Sequence, residues 1–197
     1  HKIKSKAGFI KKDSLYFAAL KKDVAWLTQE FEARKKAGFD VQWMTESDIC
    51  KNYSLQKAYG GILSKQGASI DAFLFVHELL RYNTKKGLEV YDKTELATVK
   101  HYASHNEVIL ATGITIKCKR IVYCVGYESA TMIKQKFVDL ISTYAIVSEM
   151  MPKECKRYQE LLLWNTAAPY HYMRTTDDGR MLIGGEDEEF RNPPKRD

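Results

Sequence analysis

The chain lacks any apolar run long enough to cross a bilayer, and no secretory apolar segment opens it. A membrane-spanning helix needs roughly 18 or more consecutive apolar residues. We therefore predict no transmembrane segment. The 197 residues are 45% hydrophobic and 28% charged, which is typical of a folded globular protein and excludes a disordered chain.

Cysteine is scarce, and no two cysteines are spaced as C-x-x-C. The four are Cys50, Cys118, Cys124 and Cys155. This pattern excludes a disulfide framework and a typical zinc site, and it predicts reduced thiols in a cytoplasmic protein. His101 and His105 are four residues apart, but their segment alternates like a strand, so we expect no metal site there.

A clustered basic patch is also missing, although the net charge is +6. The lysine pairs at 11–12, 21–22, 35–36 and 85–86 each lie beside acidic or apolar residues. Such a distribution is typical of solvated helix surfaces, so we expect no nucleic-acid partner. Neither a P-loop, an H-E-x-x-H motif nor a G-x-S-x-G motif is present.

Three helices are predicted in the first half of the chain. The first has apolar residues at helical spacing, with a cap at Asp13 or Ser14 and an end at Gly38. A capping box in residues 45–48 predicts the start of the second, and Asp71 caps the third.

Short runs rich in β-forming residues dominate the second half. They lie at 88–91, 95–102, 107–111, 114–118, 120–125, 143–151, 161–164, 170–175 and 181–183, with a further helix near 130–140. Helices first and strands later predict an α+β fold, in which a mostly antiparallel mixed sheet is covered by helices on one face.

Several motifs occur in an order that resembles a known family. They are Ser69-Ile70-Asp71 opening a helix, GLEVYDKTEL at 87–96, the Gly113 turn, RIVYCVGYES at 120–129 and YMRTTDDGRMLIGG at 172–185. Together they resemble the D-amino-acid oxidase superfamily of FAD-dependent flavoproteins, which includes glycine oxidase, sarcosine oxidase and γ-glutamylputrescine oxidase. The resemblance spans nearly the whole chain. It implies oxidation of a small-molecule amine or amino acid by hydride transfer to flavin.

One departure from that family concerns the cofactor. The family binds the FAD pyrophosphate at a G-x-G-x-x-G turn, and no glycines here have that spacing. The family also continues past the position of Asp197. We therefore expect a single truncated unit, with residues 1–93 and 141–185 mainly substrate-binding domain and 94–140 part of the FAD-binding domain. Such a fragment is expected to be inactive and not to retain FAD.

The resemblance also assigns residues to the cofactor side. It places Leu96 near the adenine and the Cys124-Val125-Gly126 junction near the adenosine end of FAD. The Gly184-Gly185 pair would face the flavin. From the residues alone, spacing favours a plain core strand position for Leu96, and simple turns explain the glycine positions equally well.

The segment from Tyr170 to Arg174 carries the candidate substrate residues. Alternate residues of a strand share a face, so Tyr170, Tyr172 and Arg174 would point together. An arginine can bind a carboxylate with two hydrogen bonds, and the family has an arginine at about this point. The alternative is a solvated edge strand whose arginine packs over tyrosines. No catalytic acid or base is assigned, because the flavin would carry the redox step.

A different class of function remains open on the sequence. The same sheet and tyrosines could form a non-catalytic α+β module that binds a ligand or a protein. A G-x-G-x-x-G motif upstream in the reading frame would favour the oxidoreductase, and its absence would favour the module.

Overall fold

The computed structural model describes residues 3–133 and 138–189, and the chain divides into two compact units. Ser5–Phe75 and Ile141–Asp197 form the sheet unit, and His1–Lys4 and Val76–Leu140 form the hairpin unit. These bounds differ from those of the predicted division, and the assignment of 1–93 and 141–185 to substrate binding and of 94–140 to FAD binding stays a prediction. Among the described residues, no helix is both long enough and apolar enough to span a membrane.

The described elements are ten strands, five α-helices and three single 3₁₀ turns. The strands are β1 Ile10–Phe17, β2 Val41–Met44, β3 Gly61–Ser69, β4 Leu96–His101, β5 Asn106–Leu110, β6 Thr115–Cys118, β7 Ile141–Val147, β8 Leu161–Asn165, β9 His171–Thr175 and β10 Met181–Glu189. The α-helices are α1 Val24–Lys36, α2 Glu46–Tyr53, α3 Ala72–Thr84, α4 Ser129–Met132 and α5 Pro152–Cys155. Single 3₁₀ turns lie at Lys21–Asp23, Gly126–Glu128 and Lys156–Tyr158.

A seven-stranded sheet organises the sheet unit, in the order β2-β3-β1-β8-β9-β10-β7. Its neighbouring strands are antiparallel except for β1 and β8, which run parallel. The mostly antiparallel mixed sheet and the α+β class predicted from the sequence are therefore confirmed.

Both faces of this sheet carry buried apolar residues. Leu15, Leu63 and Leu163 pack with Ile49 of α2, whereas Ile62 packs with Leu27 of α1. Because Ile62 and Leu63 are neighbours in β3, they point to opposite faces. Each face thus needs its own helix, and the helices lie on both faces rather than on one.

The first predicted helix begins later than expected. Asp13 and Ser14 lie within β1 and do not cap a helix; α1 begins at Val24. The prediction was wrong because pairing of β1 with β3 and β8 determines the backbone here, and long-range pairing overrides a local capping signal. The expected end is nearby, since Gly38 follows α1 with φ +84°.

The two other predicted helix starts are confirmed. In α2 the Asp48 N–H donates to Thr45 Oγ1 at 3.2 Å, and the Thr45 N–H donates to Asp48 Oδ2 at 3.1 Å. In α3 the Leu74 N–H donates to Asp71 Oδ1 at 2.9 Å. These bonds satisfy backbone N–H groups that a helix leaves without internal partners.

The hairpin unit contains the three-stranded antiparallel sheet β4-β5-β6. Two predicted strands, 88–91 and 120–125, are wrong, because no described strand pairs with either segment. Val122 is 82% exposed, so the apolar run lacks the burial that its pattern predicted. A helix was expected near 130–140. Helix α4 covers the beginning of that range, and positions 134–137 lie outside the described residues.

Candidate functional site

Strand register aligns two rows of side chains across one face of the seven-stranded sheet. From β2 to β7, the first row is Trp43, Ile62, Tyr16, Trp164, Tyr172, Gly184 and Ala145. The second row is Val41, Ser64, Ser14, Leu162, Arg174, Leu182 and Val147. Residues two apart in a strand share a face, so both rows lie on the same side.

Helix α1 covers only the β2 end of these rows. Leu27 packs on Ile62, and the Phe31 ring centroid lies 5.8 Å from that of Trp43. Further along, Trp164 remains 37% exposed and Val147 54% exposed. We call the part of the face formed by β8, β9, β10 and β7 the open face.

A cavity of about 300 Å³ lies on the open face. Its lining residues are Ser14, Leu162, Leu163, Trp164, Tyr170, Tyr172, Met173 and Arg174. All three residues predicted to bind substrate therefore line one cavity; Tyr172 and Arg174 alternate within β9, and Tyr170 directly precedes that strand. None of its lining residues is acidic.

Trp164 forms one wall of this cavity and is held from two sides. Its ring stacks on Tyr16 at 4.3 Å between centroids, and its indole N–H donates to Ser14 Oγ at 3.2 Å. Burial raises the pKa of Tyr16, and the nearby Arg34 guanidinium offsets part of that rise. Tyr16 is therefore a neutral platform at neutral pH, and Trp164 is fixed in place.

The opposite wall depends on Gly184. A Cβ atom at Gly184 would lie 2.3 Å from Cζ and Oη of Tyr172, so the Tyr172 ring leans over this glycine. That tilt carries the ring away from Trp164, its partner across the β8–β9 pair. The space between the two rings is part of the cavity, and Tyr170 extends the wall at 6.1 Å from Tyr172.

Gly185 has a different neighbour. A Cβ at Gly185, where φ is +136°, would lie 2.1 Å from the backbone oxygen of Tyr170. The double glycine thus allows close packing of β10 against the segment that carries the two tyrosines. That the Gly184-Gly185 pair faces the flavin stays a prediction.

Arg174 supplies the positive charge of the cavity. Its Nη1 donates to the Thr175 carbonyl oxygen at a long 3.4 Å, and no described carboxylate forms an ion pair with it. Arg174 also borders a second cavity of about 520 Å³, beside Ser69 and Thr176. A guanidinium without an acidic partner can bind an anionic group directly.

The loop between β8 and β9 positions Tyr170. Asn165 Oδ1 accepts hydrogen bonds from the backbone N–H groups of Ala167 and His171, at 3.1 and 3.0 Å. The Thr166 hydroxyl donates to the buried Asp23 carboxylate at 2.5 Å. These bonds fix both ends of the loop, so the position of Tyr170 is set by the fold.

Sequence reasoning missed Ser14, Tyr16 and Trp164. The alternation of Ser14 and Tyr16 was the available signal, but it was hidden because this segment was assigned to a helix. Trp164 lay in a predicted strand without a partner, and only the register places it opposite Tyr172.

Leu96 and the Cys124-Val125-Gly126 segment, which the resemblance assigns to the adenosine end of the cofactor, lie in the hairpin unit. Leu96 begins β4 and is exposed, and Cys124 and Val125 precede the 3₁₀ turn that Gly126 opens. Gly126 has φ +59°, and a Cβ there would meet only Glu128 Oε2 at 3.8 Å. The predicted contact of this segment with the cofactor stays a prediction. No G-x-G-x-x-G turn is present to hold a pyrophosphate.

The acidic run after the double glycine lies outside the cavity. Glu186 pairs with His171, with 2.6 Å between Oε1 and Nε2, and its side chain is largely exposed. Glu186 is therefore a solvated acid rather than a group of the cavity. Within the described ranges, no cluster of three or more potential metal ligands occurs.

Comparison with known proteins identifies the family. The model of the DAO family, described as FAD-dependent oxidoreductases, matches residues 2–197. A search of curated proteins gives no match.

Solved structures with this fold include glycine oxidase from Geobacillus kaustophilus, at 16% identity and a TM-score of 0.75, covering 95% of this chain and 51% of that one. L-proline dehydrogenase from P. horikoshii has 14% identity and a TM-score of 0.79, covering 95% and 52%. Iminodiacetate oxidase from Chelativorans sp. BNC1 has 17% identity and a TM-score of 0.70, covering 96% and 52%. The chain thus spans about half the length of these structures. The resemblance found in the sequence is confirmed, and the chain belongs to the DAO family of FAD-dependent oxidoreductases.

Proposed function

We propose that the sheet unit binds the substrate of an FAD-dependent oxidoreductase that oxidises an amine or amino acid. The observation that carries this proposal is Arg174, a guanidinium that has no ion pair with any described carboxylate and lies at a cavity walled by aromatic rings. Membership of the family supports FAD as the cofactor. The similarity to structures named as amino-acid-oxidising enzymes supports the substrate class.

The residues of the chain would position the substrate rather than exchange its protons. Arg174 would bind the carboxylate through two hydrogen bonds, which fixes the orientation of the carbon that bears the amine. Trp164, Tyr170 and Tyr172 would exclude water from that carbon. When bound, FAD supplies the acceptor for the hydride leaving this carbon, and water hydrolyses the resulting imine to a carbonyl compound and ammonia.

The cofactor side is proposed to include Leu96, the Cys124-Val125-Gly126 segment and the Gly184-Gly185 pair. The open space at Gly126 supports contact with the adenosine end. A pyrophosphate site is missing from this sequence, so the 197-residue chain alone is proposed to bind FAD weakly or not at all and to be inactive.

The test uses the full-length protein and its visible spectrum. We expect flavin absorption bands that bleach anaerobically when one member of a panel of amines and amino acids is added. A protein that is colourless after purification with FAD, yet binds such a compound, would overturn the oxidoreductase and favour a non-catalytic binding module. The 197-residue chain is the second sample, and it should elute free of flavin from a gel-filtration column.

A further inference from the structure

We propose that the substrate is an amino acid with a bulky apolar or aromatic side chain, and that Trp164 determines this specificity. The inference deepens the proposed function and rests on it. It follows from the shape and chemistry of the open-face cavity, whose anion-binding group lies beside a space between aromatic rings.

The first support is that Trp164 is a rigid wall. Stacking on Tyr16 at 4.3 Å and donation to Ser14 Oγ at 3.2 Å restrain the ring from its far side and its edge. A side chain already held in place loses little conformational freedom when a ligand contacts it, so its surface is available for binding at small entropic cost.

The second support is that the space facing Trp164 is maintained by the backbone. Tyr172 leans over Gly184, where no Cβ obstructs it, and so stays away from Trp164. Aromatic rings pack favourably on other apolar groups at centroid distances of about 4.5 to 7 Å. A cavity of about 300 Å³ lies at the lower end of the range for small-molecule sites and accommodates a side chain as large as an aromatic ring.

The third support is the distribution of charge. Within residues 3–133 and 138–189, Arg174 is the single charged residue that lines the cavity, and Leu162 lies beside it. An amino acid bound through its carboxylate would place its side chain on apolar surface. A second amine would have no carboxylate to pair with there, and burying an unpaired charge is unfavourable. Diamines and basic amino acids are therefore disfavoured.

The experiment measures steady-state kcat/KM of the full-length protein for glycine, alanine, lysine and phenylalanine, using both enantiomers of the chiral ones. We expect phenylalanine to exceed glycine and lysine by at least about tenfold, since differences of one to a few apolar groups give factors of about 10 to 200. In Trp164→Ala this preference should fall to less than about threefold, mainly through a higher KM for phenylalanine.

Trp164→Phe keeps a ring at the same wall and should retain most of the preference. Trp26→Ala is the matched control, because Trp26 contacts Tyr16 at 6.0 Å but does not line the cavity. That control should leave the ratios of kcat/KM for phenylalanine to kcat/KM for glycine and for lysine unchanged. Far-UV circular dichroism establishes that each variant is folded before its kinetics are compared.

The outcomes separate this inference from the proposed function. Oxidation of glycine or lysine in preference to phenylalanine, with no effect of Trp164→Ala on the ratio, would overturn the specificity and leave the oxidoreductase intact. If no member of the panel of amines and amino acids bleaches the flavin, while 3-phenylpropanoate still quenches the fluorescence of Trp164, the oxidoreductase is overturned and the ligand class is supported. If in that case 3-phenylpropanoate quenches the tryptophan fluorescence of Trp164→Phe as much as that of the unmodified protein, both the oxidoreductase and the ligand class are overturned.

Discussion

The glycine pair in β10 gives the sharpest test of how the open face is built, because two identical substitutions should have different effects. In Gly184→Ala the new methyl group meets the tip of the Tyr172 ring at 2.3 Å, and a ring tip can swing aside. In Gly185→Ala it meets the backbone oxygen of Tyr170 at 2.1 Å, at a φ of +136° that alanine rarely adopts. A backbone atom within a paired strand segment cannot move without disturbing the sheet.

The magnitudes follow from these contacts. For Gly185→Ala, an unfavourable backbone conformation costs about 1 to 3 kcal/mol, and overpacking costs about 1 to 3 kcal/mol more. The free energy of unfolding should therefore fall by about 2 to 6 kcal/mol. For Gly184→Ala, the overpacking is offset by about 0.5 to 1 kcal/mol, because glycine is unfavourable inside a strand. We expect a net loss of about 1 kcal/mol.

Urea denaturation followed by circular dichroism measures both values on the 197-residue chain. A Tyr172→Ala background supplies the control, since Gly184→Ala should then become neutral or slightly stabilising while Gly185→Ala stays costly. Equal losses for the two glycine variants would refute the reasoning. So would a cost of Gly184→Ala that persists without the Tyr172 ring.

Three further predictions concern the surroundings of the cavity. Asn165→Ala leaves two backbone N–H groups of the β8–β9 loop without their acceptor. It should lower the free energy of unfolding, measured by urea denaturation, by about 1 to 3 kcal/mol. An unchanged denaturation midpoint would contradict the role of Asn165. Ser14→Ala removes the acceptor of the Trp164 indole N–H and should lower the free energy of unfolding by about 0.5 to 1.5 kcal/mol. It should also shift the tryptophan fluorescence, and the Ser47→Ala control in α2 should not. Hydrogen bonds from Thr176 and Arg180 hold the pKa of Asp178 below its usual value. The stabilisation of the β9–β10 turn by the Asp178 carboxylate is therefore fully present above the ordinary aspartate pKa. It is lost as pH falls through the lowered pKa. The protection of the Arg180 amide against hydrogen exchange, taken relative to the intrinsic exchange rate at each pH, should fall over that acid range, and Asp178→Asn should remove this change.

The sequence predicted the parts of the fold that depend on local patterns. The caps at Thr45 and Asp71 depend only on hydrogen bonds with the residue three positions further along the chain. The structure contains both caps. The alternation of Tyr170, Tyr172 and Arg174 likewise depends only on the two-residue period of a strand, and the three residues do line one cavity.

The parts that were missed depend on long-range pairing. Asp13 and Ser14 favour a helix cap when read locally, but β1 is held between β3 and β8, whose residues are about 50 and 150 positions away. The run at 120–125 has a strand pattern without a partner among the described residues. Trp164 and Tyr16 could not be joined to the site without the β1–β8 register, because a parallel pairing between distant segments leaves no local trace.

The central claim is that Arg174 binds a carboxylate on the open face, and one measurement tests it most directly. The kcat/KM of the full-length protein for its best amino acid is compared with that for the corresponding decarboxylated amine, in the unmodified protein, in Arg174→Ala and in an Arg157→Ala control. Because a charge-assisted pair is worth about 1.5 to 3 kcal/mol, the unmodified protein and Arg157→Ala should favour the amino acid by about 10- to 150-fold. Arg174→Ala should show almost no preference; a preference that survives in Arg174→Ala would contradict the account.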